Sequence, residues 1–552
     1  MPRGLPAVPA TARLPDCFGN NPKRWRSAWG LASPCVRVAS LRSHFFENSM
    51  TLPSARHTVA LLALSLTACG GKDVRPGDEN PNPVTDPCEE SNSIDPASGT
   101  CAPLRLQCAR DLSGFKTDRY VWRDRDCHVR SVSLVRNDAA DPAGWNGGYI
   151  RRYTYEVAGA ERTCDGQSSQ VPGWGMVTSH LKDGQTWGAW TQDVRGSGRF
   201  LFKGAHHALH ELKWPLSLDG RVVQVTVQYL FATGRDHPLY AITHDASGFP
   251  ANQIEADVRS PYGDLAFDGN ASTDIAGLGW GDKYRFVTLS SPVTMNTGWD
   301  YREPNVVPYT RMWTAAPDAE MGAVQTQTWE QKPAGGYWLY PEWGTRHANG
   351  PMPVDYNWPY QLNQYELPSV TNSHRLAWGS NFGAVGLSQY PRLGDDGVML
   401  SGHPYQSYSV FMVLGTHTAS PVLSLVSEVE AWQGVKLTAS EGTVRTRGPG
   451  GVGRTDAVTY DVAGYNPVYA TWEADAASNR VTLAFDTAGR TLARPMVVVH
   501  GYTAATAPTT VTLDGKSLIA DTDYFASVDA EGKALWLTLQ RDLKGAATLK
   551  VE

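Results

Sequence analysis

Apolar and polar positions through the middle of the chain repeat every two residues, not every three or four. In residues 204–216, His207, Leu209 and Glu211 fall on one face of an extended strand, and His206, Ala208 and His210 on the other. Residues 221–232 (RVVQVTVQYLFA) alternate too and are rich in β-branched side chains, which suit a pleated surface. A tight Gly-Arg-Asp-His segment follows, then an apolar run at 239–243, and residues 407–414 are again strand-like. No stripe with helical period exceeds about three turns. This rhythm of strand and turn predicts a large antiparallel sandwich.

Past about residue 425 the spacing shortens. Residues 435–439, 458–462, 468–473, 481–486, 495–500, 509–513 and 534–539 are strand candidates separated by turn residues. They predict an immunoglobulin-like sandwich. Leu513-Asp514-Gly515-Lys516 carries the Asp-Gly pair of a tight hairpin. The expected fold class is therefore all-β: a large antiparallel β-sandwich domain over 101–427, then a small immunoglobulin-like C-terminal β-sandwich over 428–552.

Composition narrows the class. Of 552 residues, 41% are hydrophobic and 19% charged, which suits neither a disordered acidic chain nor a membrane transporter. A net charge of −6 gives no basic face for nucleic acid, so no nucleic-acid partner is expected. Trp (19) and Tyr (23) outnumber Phe (14), so most aromatic rings carry a polar handle and suit wet, stacking surfaces.

The N-terminal part reads differently. Residues 1–49 are arginine-rich, hold only Asp16 and Glu47 as acids, and read as a gene-model extension ahead of Met50. Residues 50–69 begin with Arg56 and His57, continue through an apolar run at 59–66 and end in Leu66-Thr67-Ala68-Cys69. A charged start, a short apolar run and small residues describe an export signal too short to span a bilayer. The ending resembles the lipobox of bacterial lipoproteins. That resemblance implies that Cys69 becomes the lipidated (palmitate-bearing) first residue of a protein anchored in the cell envelope, at the outer membrane. Residues 70–100, rich at first in Pro, Asp, Asn and Gly, read as a flexible linker between lipid and folded part.

Export makes disulfides the expected use of cysteine. Setting aside Cys17, Cys35 and Cys69 leaves Cys88, Cys101, Cys108, Cys127 and Cys164, an odd number that predicts two bridges and one remainder. Cys88 and Cys101 could close a small loop, but spacing alone leaves the connectivity open. No C-x2-C pair suggests zinc.

Three motifs invite chemistry and are weak. Residues 495–502 mimic the opening strand of an α/β-hydrolase, yet no G-x-S-x-G elbow follows, so they read as a sandwich strand. His206, His207, His210 and Glu211 are dense enough for a metal, but their order fits no zincin pattern. They read first as core or surface histidines. Asp268, Asn270, Ser272 and Asp274 place oxygen ligands at alternating positions, as structural calcium loops do, although Gly279 stands where the closing glutamate belongs.

The stretch over residues 337–390 is the main candidate site. It is poor in aliphatic side chains and dense in large polar and aromatic ones, so it does not read as core, and long ordered loops of this kind commonly carry function. Trp338, Trp343, Trp358 and Trp378 can stack on sugar rings, and Gln361 can bond hydroxyls. β-Elimination on a uronic-acid polymer needs a partner for the carboxylate, a base for the C5 proton and an acid for the leaving oxygen. Arg346, His347, Asn349, Tyr356 and Tyr360 supply each type, with His347 as carboxylate partner or base and Tyr356 as acid. His374, His207 and Tyr262 could complete the set from other strands. Hydrolysis would instead need two carboxyl groups about 5–9 Å apart, from Glu330, Glu342, Asp355 and Glu366. A non-catalytic glycan-binding or surface-structural lipoprotein is the third reading.

A large β domain followed by a small terminal sandwich, with this aromatic content, resembles the layout of polysaccharide lyases and galactose-mutarotase-like proteins. The resemblance implies a polysaccharide or cell-surface glycan as partner and a polysaccharide-cleaving activity, lyase preferred narrowly over glycoside hydrolase.

Overall fold

The strand Arg221–Ala232 is buried over most of its length because both of its faces are covered. Toward one side, Phe231 stacks on Tyr120 with ring centroids 4.2 Å apart, and the Tyr229 hydroxyl donates to the Gly148 carbonyl. Toward the other, Leu230 and Ala232 join Leu209, Leu239, Phe411 and Val413 in a core shared with the C-terminal strands. The computed structural model describes Cys88, most of 101–281, residues 307–326 and 405–552 apart from a few positions, and short strands at 375–377, 392–393 and 399–400.

Arg221–Ala232 lies within an eight-stranded antiparallel sheet. Its spatial order is Ile275–Gly281, Tyr309–Thr314, Ala319–Gln325, Tyr405–Gly415, Leu239–Asp245, Arg221–Ala232, His207–Leu218 and Ser197–Lys203. A nine-stranded sheet that begins with the meander Arg105–Leu112, Phe115–Arg123, Val129–Val135 and Ile150–Val157 covers one face. The other face meets a C-terminal sandwich of two sheets, one five-stranded and one six-stranded. Apart from the parallel pair Thr471–Asp475 and Met496–His500, the strand pairs of these sheets are antiparallel. The described chain is therefore all-β in layers, with the short helix Pro421–Trp432 as its main exception.

That helix lies across residue 427, where the sequence suggested a boundary. Pro421 suits its first turn, and Val422, Leu425, Val426, Val429 and Trp432 make the buried stripe. Its N-cap Ser420 makes no side-chain cap bond; instead the Val422 N–H donates to Glu320 from the large sheet.

Local chemistry fixes several details. Asp514 and Gly515 both have positive φ, 51° and 75°, and join Val511–Leu513 to Lys516–Ser517 as a two-residue hairpin. Gly451 lets a second hairpin, Arg447–Pro449 with Ala457–Thr459, lie on the large sheet: a Cβ there would sit 2.2 Å from Ser407 Oγ. Residues 458–462, expected as a sandwich strand, thus contribute only to this separate two-stranded hairpin.

The disulfides are Cys88–Cys108 and Cys101–Cys127, so the Cys88–Cys101 loop considered from spacing does not form. Cys164 is buried outside both. A charge cluster binds the layers nearby. Arg125 contacts Asp236 at 2.6 Å and Glu428 of the helix at 2.7 Å, and Arg130 bonds Asp124 at 3.1 Å and the Leu414 carbonyl at 2.7 Å. Arg494 of the C-terminal sandwich donates to the Arg125 carbonyl.

Candidate functional site

Of the aromatic stretch 337–390, the structure describes Arg375–Ala377. Arg375–Ala377 pairs antiparallel with Tyr262–Asp264 at the edge of the nine-stranded sheet, with Tyr262 opposite Ala377 and Asp264 opposite Arg375. Trp338, Trp343, Arg346, His347, Asn349, Tyr356, Trp358, Tyr360, Gln361, His374 and Trp378 lie outside the described residues. So do Glu330, Glu342, Asp355 and Glu366, the calcium candidates Asp268, Asn270, Ser272 and Asp274, and the lipidation candidate Cys69.

A half-open cavity of about 190 Å³ is lined by Thr326, just past the strand Ala319–Gln325, and by Ser407 and Ser409 of Tyr405–Gly415. Gly450 and Gly451 of the second hairpin, with Tyr460, complete much of the wall. The pocket thus sits between the large sheet and the C-terminal sandwich, a usual setting for ligand sites.

Its polar groups are held in place from behind. Ser407 Oγ is 2.8 Å from Thr243 Oγ1, Ser409 donates to the Val468 carbonyl at 2.8 Å, and Thr326 donates to the Pro467 carbonyl at 2.6 Å. The Tyr460 hydroxyl points to Glu473 Oε2 at 3.4 Å, the edge of a hydrogen bond. Burial, and then the Glu473 charge, push the Tyr460 phenol up, so it stays protonated. Burial works to raise Glu473 as well, but His500, Asn466 and Arg445 outweigh it and hold the carboxyl below its usual range. His500 Nε2 lies 3.1 Å from Glu473 Oε2, and Asn466 donates to Oε1 at 2.8 Å.

No protein-family model and no curated protein matches the chain. Among solved structures, it is similar to a protein in the glycosyl hydrolase family 38 from Enterococcus faecalis, at 10% identity and a TM-score of 0.25. That match covers 83% of this chain and 52% of the other. An α-mannosidase from Enterococcus faecalis V583 is similar at 10% identity and a TM-score of 0.26, covering 82% and 49%. The chain spans about half the length of these structures.

The histidine cluster of residues 206–211 is structural. His207 is wholly buried; Nδ1 lies 3.0 Å from Ser527 Oγ and Nε2 2.9 Å from Thr538 Oγ1. It has no face toward a substrate, so it does not complete the candidate set. His210 Nδ1 meets the Tyr120 hydroxyl at 2.7 Å, and Glu211 accepts from Arg199 and Gln228, each at 2.8 Å. Among the described residues, no three His, Cys, Asp or Glu side chains gather as metal ligands.

One further group escaped the sequence reading. Glu320 is fully buried, and its Oε2 lies 2.5 Å from His417 Nδ1 and 3.3 Å from an Arg311 nitrogen. The partly exposed His417 ring stacks on Trp313 with centroids 4.6 Å apart. Burial pushes the Glu320 carboxyl up, and Arg311 and His417 pull it back. Since Glu320 also accepts the helix N–H of Val422, its first role is to cap. Arg311 and Glu320 sit on paired neighbouring strands and His417 about a hundred residues further on, so no local spacing announced the three together.

Proposed function

We propose that this chain is an exported, lipid-anchored, carbohydrate-active protein that cleaves a uronic-acid polysaccharide by β-elimination. The supporting observations are the aromatic and polar composition of residues 337–390 and the polar cavity lined by Thr326, Ser407 and Ser409.

On this reading His347 neutralises the substrate carboxylate or takes the C5 proton, Tyr356 protonates the leaving oxygen, and Arg346 and Asn349 hold the acid group. Lipid on Cys69 would tether the protein to the membrane surface, and any calcium at Asp268–Asp274 would be structural. The test is incubation of the purified protein with acidic polysaccharides, following reducing ends and the ultraviolet absorbance of an unsaturated uronate. Both should rise, and His347→Ala should abolish both. Reducing ends without absorbance would replace elimination with hydrolysis and move attention to Glu342, Asp355 and Glu366.

A further inference from the structure

We infer that His417, the partly exposed imidazole held on buried Glu320, is the general base that takes the C5 proton of a uronate unit. The inference rests on the lyase reading above and leaves the substrate carboxylate to His347.

Glu320 is approached by three donors. Its Oε1 accepts the Val422 N–H at 3.2 Å, and its Oε2 faces an Arg311 guanidinium nitrogen at 3.3 Å and His417 Nδ1 at 2.5 Å. A carboxylate met by two such N–H groups serves as an acceptor, so the shared proton belongs to Nδ1 and the outer Nε2 keeps its lone pair. Helix capping uses Oε1 and does not call for an imidazole on Oε2.

The ring is aimed as well as fixed in one tautomer. It lies within 5° of parallel to the buried Trp313, with centroids 4.6 Å apart. The next residue, Thr418, is tied to Asp318 through its N–H at 3.1 Å and its hydroxyl at 2.6 Å. The His417 side chain is still 30% exposed, and among the described residues no group bonds its Nε2. Strand Tyr309–Thr314, which carries Arg311 and Trp313, runs beside Arg375–Ala377, the described strand of the aromatic stretch.

The step balances. Nε2 takes the C5 proton, the C–H electron pair becomes the C4–C5 double bond, and the C4–O bond breaks with its pair on the leaving oxygen. That oxygen takes up a proton, and the imidazolium later gives one to water. The Glu320 charge steadies the imidazolium as it forms, as the carboxylate behind a catalytic histidine does.

The test is steady-state elimination by the full chain on polygalacturonate, alginate and hyaluronan, followed by ultraviolet absorbance. His417→Ala should lower kcat about a hundredfold or more with little change in KM. Added imidazole should restore at least about tenfold of that loss, and more basic imidazoles should restore more. Glu320→Gln keeps an acceptor for Val422 but lets an amide donate to Nδ1, which moves the ring proton to Nε2. It should also lower kcat about a hundredfold or more, and it decides the matter if His417→Ala folds poorly. Full activity in either folded variant overturns the inference, as does a loss in His417→Ala that imidazole does not restore. If the native protein eliminates on one of these polymers and the variants do too, only the base assignment falls. If the native protein eliminates on none of them, the lyase reading falls and the base assignment with it.

Discussion

His207 and His237 are buried where an imidazolium has no place. Burial drives His207 well below its ordinary value, and burial with Arg130 beside it lowers His237 to about 3. Below about pH 6.5 the unfolded chain therefore binds protons that the fold refuses. Their stabilising share is complete above that pH and falls as pH drops below it, for His237 by roughly 1.4 kcal/mol per pH unit down to about pH 3. Glu320 and Asp124, raised first by burial, tilt the other way near the carboxylate range. The melting temperature should fall from pH 7 to pH 5, with a shallower slope in His207→Gln; an unchanged slope would contradict the account. Gly451 poses a purely steric demand. Gly451→Ala drives a methyl group against Ser407 and Thr243 and should cost about 1–3 kcal/mol in urea unfolding. A neutral result would mean that the hairpin is not seated on the sheet.

Elements show which signals in the sequence were local and which were not. Arg221–Ala232 matches the expected bounds because alternation and β-branching mark it, and Ala534–Leu539 because it is a short apolar run that is buried throughout. Leu543–Val551 went unread because Gly545, Ala546 and Ala547 dilute its apolar face, although it pairs with two neighbours. The helix Pro421–Trp432 also went unread: its valines suit strands, and its cap comes from Glu320, about a hundred residues away. Glu320→Ala removes that cap and breaks the buried contact with Arg311, and should cost about 3–5 kcal/mol in urea unfolding. Glu320→Gln, which keeps an acceptor for Val422, should cost less; equal losses would argue against capping. The two bridges were legible as a count but not as pairs. Cys101→Ser should lower stability by about 2–4 kcal/mol, and reductant should lower the melting temperature of the native protein toward that of the variant.

At the scale of the whole molecule, two stacked β systems share one core, so the large sheet has no free face beside the C-terminal strands. That layering explains why a histidine-rich strand could resemble a metal site and yet be interior. The pocket was illegible in sequence because residues from five separated segments, mostly Ser, Thr, Gly and Pro, build it, and no one of those segments stands out. The aromatic stretch was legible by composition alone, and only its Arg375–Ala377 strand is placed, on the sheet edge. Cleavage remains the central claim. The direct measurement is ultraviolet absorbance, with reducing ends in parallel, after adding purified protein to acidic polysaccharides. Both signals should rise together and vanish in His347→Ala. Reducing ends without absorbance, or full activity in His347→Ala, would contradict it.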